Sequence, residues 1–67
     1  MTPREYIMTL YLSQAIQARD SASEEIDYAE TFRDGKALEQ AIQKFDYWQD
    51  QVLARAAALA KIKGQRQ

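Results

Sequence analysis

The chain contains no cysteine and no histidine, only one proline and only two glycines. Without cysteine there is no disulfide, and without cysteine or histidine there is no zinc site of the usual ligand set. The same two absences remove Ser–His and Cys–His nucleophile pairs and the side chain that most often serves as a general base near neutral pH. Gly35 and Gly64 stand far apart, so no glycine-rich loop can cradle a phosphate. Carboxylates remain, but no pair sits in a pocket-forming context. The expectation is a non-enzymatic protein with no catalytic residues, no cofactor and no metal. Long apolar runs are missing as well: nothing approaches the roughly 20 residues of a membrane span. Tyr6 to Leu12 is apolar except for Thr9, but Glu5 sits where a signal peptide carries positive charge, and no small-residue cleavage site follows. A chain made and kept in the cytoplasm, or within an intracellular assembly, is expected.

What is present bounds the architecture. Sixty-seven residues make one domain at most, and 46% apolar content is globular rather than disordered. A chain so short buries a small share of its surface and is marginal as a lone monomer. With no covalent or metal staple, stability is expected to come from another copy or a larger partner. The net charge of −1 conceals an asymmetry. Residues 1–35 carry three bases against seven acids, and residues 36–67 carry six bases against three acids. Opposite halves favour antiparallel pairing, within one chain or between copies. Complementarity to helix dipoles accounts for the same pattern.

The stretch from Lys36 to Lys63 carries the clearest periodicity. Leu38, Phe45, Val52 and Leu59 fall one heptad apart, and Ala41, Trp48, Arg55 and Ile62 form a second row three residues on. Ile42 and Ala56 widen the seam. Such spacing places apolar groups on one side of an α-helix. The Ala-, Gln-, Lys-, Leu- and Glu-rich composition suits a helix over 36–63, which Gly64 is expected to end.

A first helix is expected to begin at Thr2-Pro3-Arg4-Glu5. Thr2 caps, Pro3 takes the first helical position, and Glu5 completes a capping box. Met8, Tyr11, Leu12, Ala15 and Ala18 line one face, with Tyr6, Ile7 and Leu10 spilling onto its neighbours. A helix apolar on several sides is buried on several sides, which points to either a wide core stripe or an oligomer contact. Asp20-Ser21-Ala22-Ser23 prefers caps and turns to helix interiors, so a kink or break is expected there. From Asp20 to Asp34 two structures compete. In one, helix continues, Ala22, Ile26, Ala29 and Phe32 extend the stripe, and Gly35 ends it. In the other, residues 25–34 form a β-hairpin turning at Ala29-Glu30, a poor sequence for a two-residue turn. The favoured fold is mostly α, two antiparallel helical arms over about 3–33 and 36–63. The alternative is an α+β helix–hairpin–helix. Either way one small domain spans 1–63, with a short basic tail at 64–67.

The residues expected to meet a partner or another copy are Tyr6, Ile7, Leu10, Tyr47, Trp48, Arg55, Lys61, Lys63 and Arg66. Trp48 anchors the seam or serves as an interface hot spot, and Tyr47 projects off it. Arg55 interrupts an apolar row, where it either runs its stem along the seam or pairs with an acid such as Glu25. Lys61, Lys63 and Arg66 form too sparse a patch, with no interleaved aromatic, for specific nucleic-acid binding.

Taken in order, the capped start, a helix bearing Leu10-Tyr11-Leu12 and then Ala15, a middle segment of hairpin length, and a second helix carrying Asp46-Tyr47-Trp48 and Val52 before a basic tail resemble the small W-type head-completion (head–tail joining) proteins of tailed bacteriophages and their small relatives. Those proteins usually carry a glycine-containing hairpin in the middle, where this chain has Ala29-Glu30. The resemblance implies a non-enzymatic ring subunit that docks beneath the portal, at the head–tail junction of a virion assembled in the bacterial cytoplasm. The apolar groups of the first helix and the basic tail would be its contacts. The competing expectation is a free-standing helical-hairpin homodimer that binds a regulatory protein or RNA.

Overall fold

The computed structural model describes residues 2–65. Among them there are two helices, α1 (Pro3–Thr31, 29 residues) and α2 (Gly35–Gln65, 31 residues), joined by a three-residue reversal. They lie antiparallel as a rod measuring 51 × 14 × 11 Å. A typical domain of this length has a radius of gyration of about 11 Å, whereas this chain has 15.2 Å.

The start of α1 follows from its first four residues. Thr2 is extended, its Oγ1 accepts from the Glu5 N–H at 3.2 Å, and Pro3 occupies the first turn, where no N–H is needed. The helix then runs without a break through Asp20-Ser21-Ala22-Ser23, where a kink or break is expected. Asp20, Ser21 and Ser23 point to solvent while Ala22 is buried. Burial of one residue per heptad outweighs the weak local preference of the other three. The alternative hairpin over 25–34 is likewise not formed: residues 25–31 continue α1.

The end of α1 also corrects an expectation. Gly35 does not stop it. Phe32 closes the helix, and Arg33 takes the left-handed conformation with φ 53°. The Arg33 N–H donates to the Glu30 carbonyl (3.2 Å) and the Asp34 N–H to the Ala29 carbonyl (3.0 Å). These are the two bonds of a Schellman cap, with arginine where glycine is usual. Asp34 then caps α2, its Oδ1 accepting from the Ala37 N–H at 3.1 Å. Gly35 and Gly64 both lie within α2 with negative φ, so Gly64 does not end that helix either. The tail expected at 64–67 therefore begins as helix. Arg66 and Gln67 lie outside the described residues.

The cross-helix hydrogen bonds set the register. Arg19 Nη1 donates to Gln49 Oε1 (3.2 Å), Lys44 Nζ to Glu25 Oε2 (3.3 Å) and Arg55 Nη1 to Gln14 Oε1 (3.4 Å). In that register Met8, Ala15, Ala22 and Ala29 stand level with Leu59, Val52, Phe45 and Leu38. Each helix presents a row spaced by seven, the geometry of an antiparallel coiled coil. The core is correspondingly thin. Its buried apolar residues are Ala15, Ala22, Ala29, Ala41, Val52 and Leu59, four of the six being alanine.

Candidate interaction surface

A seam of alanines leaves the larger apolar groups outside it. Tyr11 and Phe32, on the stripe read as either core or oligomer contact, are exposed; they lie three residues on from Met8 and Ala29, in the row that flanks the alanine row. Ile7 (50% exposed) and Leu10 (52%), with Tyr6 beside them, lie at the open end of the rod, opposite the reversal. Near the turn, Tyr28 is 69% and Phe32 63% exposed, and their rings lie 4.6 Å apart. On α2, Tyr47 and Leu53 are also exposed.

Seven-residue rows sort these groups by side. Ile7, Gln14, Ser21 and Tyr28 form one row of α1. Arg4, Tyr11, Ala18, Glu25 and Phe32 form the row beside it. On α2, Gln40, Tyr47, Ala54 and Lys61 form a row, and Ala37, Lys44, Gln51 and Ala58 its neighbour. All four rows flank the seam on the same side as the Glu25–Lys44 pair, because residues seven apart stay on one face of a supercoiled helix. At the turn end of this side lies an open groove of about 750 Å³, whose lining includes Glu25, Tyr28, Phe32, Ala37, Gln40 and Lys44.

Among the expected contact residues, the structure groups some and separates others. Tyr6, Ile7 and Leu10 share the open end with Lys61 and Lys63 but point in different directions around it. Trp48 is half-buried on the seam, as the heptad reading requires, and stands 5.0 Å from Tyr47 edge-on. Arg55 does not reach Glu25, which pairs instead with Lys44. The Arg55 guanidinium crosses to α1, donating to the Tyr11 carbonyl (2.7 Å) while lying 5.6 Å from the Tyr11 ring and 5.8 Å from the Trp48 ring. It thus clamps the two helices through a charge-assisted bond and two aromatic faces. Arg66 lies outside the described residues.

The sequence reading missed Tyr28 and Phe32 as surface groups. Their shared i, i+4 spacing signals a common face, but which face becomes clear only once the alanines are seen to own the seam. Among the described residues no group of acids is arranged to hold a metal ion, and no helix is long and apolar enough to cross a membrane. In comparisons with known proteins, no family model, curated sequence or solved structure matches the chain.

Proposed function

We propose that this chain is a non-enzymatic structural subunit that works by joining protein chains, its own copies among them. The observation that carries this reading is the distribution of apolar surface. The seam buries mostly alanine, while Tyr6, Ile7, Leu10, Tyr28, Phe32 and Leu53 are half exposed or more. A folded monomer of this mass exposes about 4,300 Å² by size scaling, and this chain exposes 5159 Å². The excess is close to the ~800 Å² that each partner contributes to an ordinary stable interface. The test is the solution mass of the purified chain. A multiple of the subunit mass at tens of micromolar is expected, and a fully helical monomer that binds nothing overturns the reading.

The resemblance of the sequence supplies a particular assembly: a ring subunit joining the portal to the tail of a phage particle. Leu10-Tyr11-Leu12, Ala15 and Asp46-Tyr47-Trp48 support it, and the continuous helix over residues 25–31, in place of the hairpin of such proteins, counts against it. Mixing with portal protein tests it. Co-sedimentation is expected, and weakened when residues 64–67 are deleted; two separate species would remove the adaptor role and leave the coarser reading standing. The second reading, a free-standing homodimer that binds a regulatory protein or RNA, is favoured by the same uninterrupted hairpin, which is a complete two-helix unit.

A further inference from the structure

The exposed groups and the charges are distributed along the rod in a self-complementary way. Divided at its middle, the half containing the turn (residues 18–49) carries eight acids and four bases, net −4. Among the described residues the other half carries Glu5 and Asp50 against Arg4, Arg55, Lys61 and Lys63, net +2. One end is acidic and the other basic, and both are apolar on the same side. At the turn, the groove is lined by Tyr28 and Phe32 together with Glu24, Glu25, Asp34 and Lys44; Lys44 pairs with Glu25, and three acids against one base leave the lining net negative. At the open end, Ile7 and Tyr11 stand in the same rows as Tyr28 and Phe32, accompanied by Arg4 and Lys61. Between them the rows hold Gln14, Ala18 and Ser21, which are small or polar.

We propose that the groove side of this hairpin binds a second copy of the chain, inverted, so that the open end of each lies in the turn-end groove of the other. The proposal rests on the reading of the chain as a self-associating subunit and specifies its partner and orientation. A two-fold axis crossing the rod near Ala18 exchanges the two ends. It brings Ile7, with its neighbouring bases, beside Tyr28 of the second copy with its neighbouring acids, and it does so twice, as a two-fold interface must. The small centre of the α1 rows lets the two first helices approach, and Tyr47, exposed on the α2 row of the same side, adds a large group near the axis of the four-helix layer. The opposite, turn-to-turn arrangement sets acid against acid and base against base. At physiological salt the Debye length is about 8 Å, much shorter than the rod. Only charges brought side by side by docking interact, so orientation is decided by what lies at each end.

The chain lacks cysteine, so a single Thr31→Cys substitution, on the outer face of α1 beside the turn, accepts one spin label per subunit. In the inverted dimer the two labels lie about 40 Å apart, from the helical rise over the residues between them. The full-length chain at tens of micromolar should sediment as a dimer and give this distance. Phe32→Ser should raise the dimer dissociation constant at least tenfold with the helical circular dichroism unchanged. A label separation under about 25 Å, an unaltered dissociation constant in Phe32→Ser, or an oligomer of another size overturns the inverted dimer while leaving the subunit reading intact. A folded monomer overturns the inverted dimer, and one that also binds no other protein overturns both.

Discussion

The two helices solve one packing problem with opposite side chains. Along the row that enters the seam, α1 offers Ala15, Ala22 and Ala29, all buried, while α2 answers from the same levels with Val52, Phe45 and Leu38. Small against large lets the helices interdigitate at close range, and the dispersion contacts of the large residues are made with backbone as much as with side chain. The difference teaches where the rest of the chemistry must go. A helix that buries alanine has its large groups left over. That is why Tyr11, Tyr28 and Phe32 of α1 are outside, while Phe45 and Trp48 of α2 are at least partly in.

The sharpest way to break that comparison is to make both sides large. Ala22→Leu places extra methylenes at a site 3% exposed and level with Phe45, where only helix separation makes room. Overpacking of this kind costs about 1–3 kcal/mol, a large share of the stability of so short a chain, and should lower the thermal midpoint by circular dichroism by ten degrees or so. Phe45→Ala alone should cost about 2–3 kcal/mol, below the usual range for a fully buried phenylalanine because Phe45 is half-buried. The informative variant combines the two. If size complementarity across this level is what matters, Ala22→Leu with Phe45→Ala is less destabilised than the sum of the single changes, with a coupling of about 1 kcal/mol. Strict additivity would mean that the two side chains do not meet across the seam.

A second comparison sets the two arginines of the seam against each other. Arg19 and Arg55 both occupy heptad positions, one on each helix. Arg19 spreads its guanidinium between Asp20 (3.3 Å) and Gln49 (3.2 Å), whereas Arg55 donates to a main-chain carbonyl of the opposite helix and lies against two rings. Exposed ion pairs contribute little, and a charged donor on a carbonyl contributes more. Arg55→Ala should therefore cost about 1–2 kcal/mol and Arg19→Ala less than about 1 kcal/mol. Added salt should not abolish the difference, because the larger contribution is a hydrogen bond with packing rather than an ion pair. Urea midpoints of the two variants give the comparison directly; equal losses would show that Arg55 acts only as one more charge.

Much of the fold was legible in the residues, and the two helices were not equally so. In α2 the heptad is written in large groups, so Leu38, Phe45, Val52 and Leu59 announce the buried stripe, and Val52 and Leu59 are indeed buried. In α1 the stripe is written in alanine, which stands out neither by size nor by hydrophobicity. The aromatics are more conspicuous than the alanines, yet Tyr11 and Phe32, on a stripe that reads as either core or oligomer contact, are exposed. The same blindness affected Asp20 to Ser23, where three turn-forming residues concealed Ala22, the one that decides. The exposure of Ile7 and Leu10 followed from counting apolar groups against the core available to them. The groove beside Tyr28 and Phe32 did not, because it depends on the register across the reversal, which no local pattern encodes. Arg55 stands out in the sequence as a charge on an apolar row, but its partner does not, since a main-chain carbonyl leaves no mark in a sequence.

The reversal itself supplies the smallest and most specific expectation. Two glycines were available to satisfy the left-handed position, and the chain uses neither: Arg33 holds φ 53° while Gly35, two residues on, sits in ordinary helical conformation. A side chain in the left-handed region costs about 1–2 kcal/mol relative to its preferred conformations, and glycine escapes most of that. Glycine at 33 also gains backbone freedom in the unfolded chain, which takes part of the advantage away. The net expectation for Arg33→Gly is a gain of about 0.5–1 kcal/mol. Gly35→Ala should add a comparable amount, because a Cβ there meets nothing within 4 Å and the helix gains a better former. The two changes exchange the conformational roles that the chain assigns, so the double variant should be more stable than either and still end α1 at the same place. A loss of stability in Arg33→Gly would mean that the arginine side chain itself holds the turn, and the Schellman bonds at Glu30 and Ala29 would then be its consequence rather than the cause of the reversal.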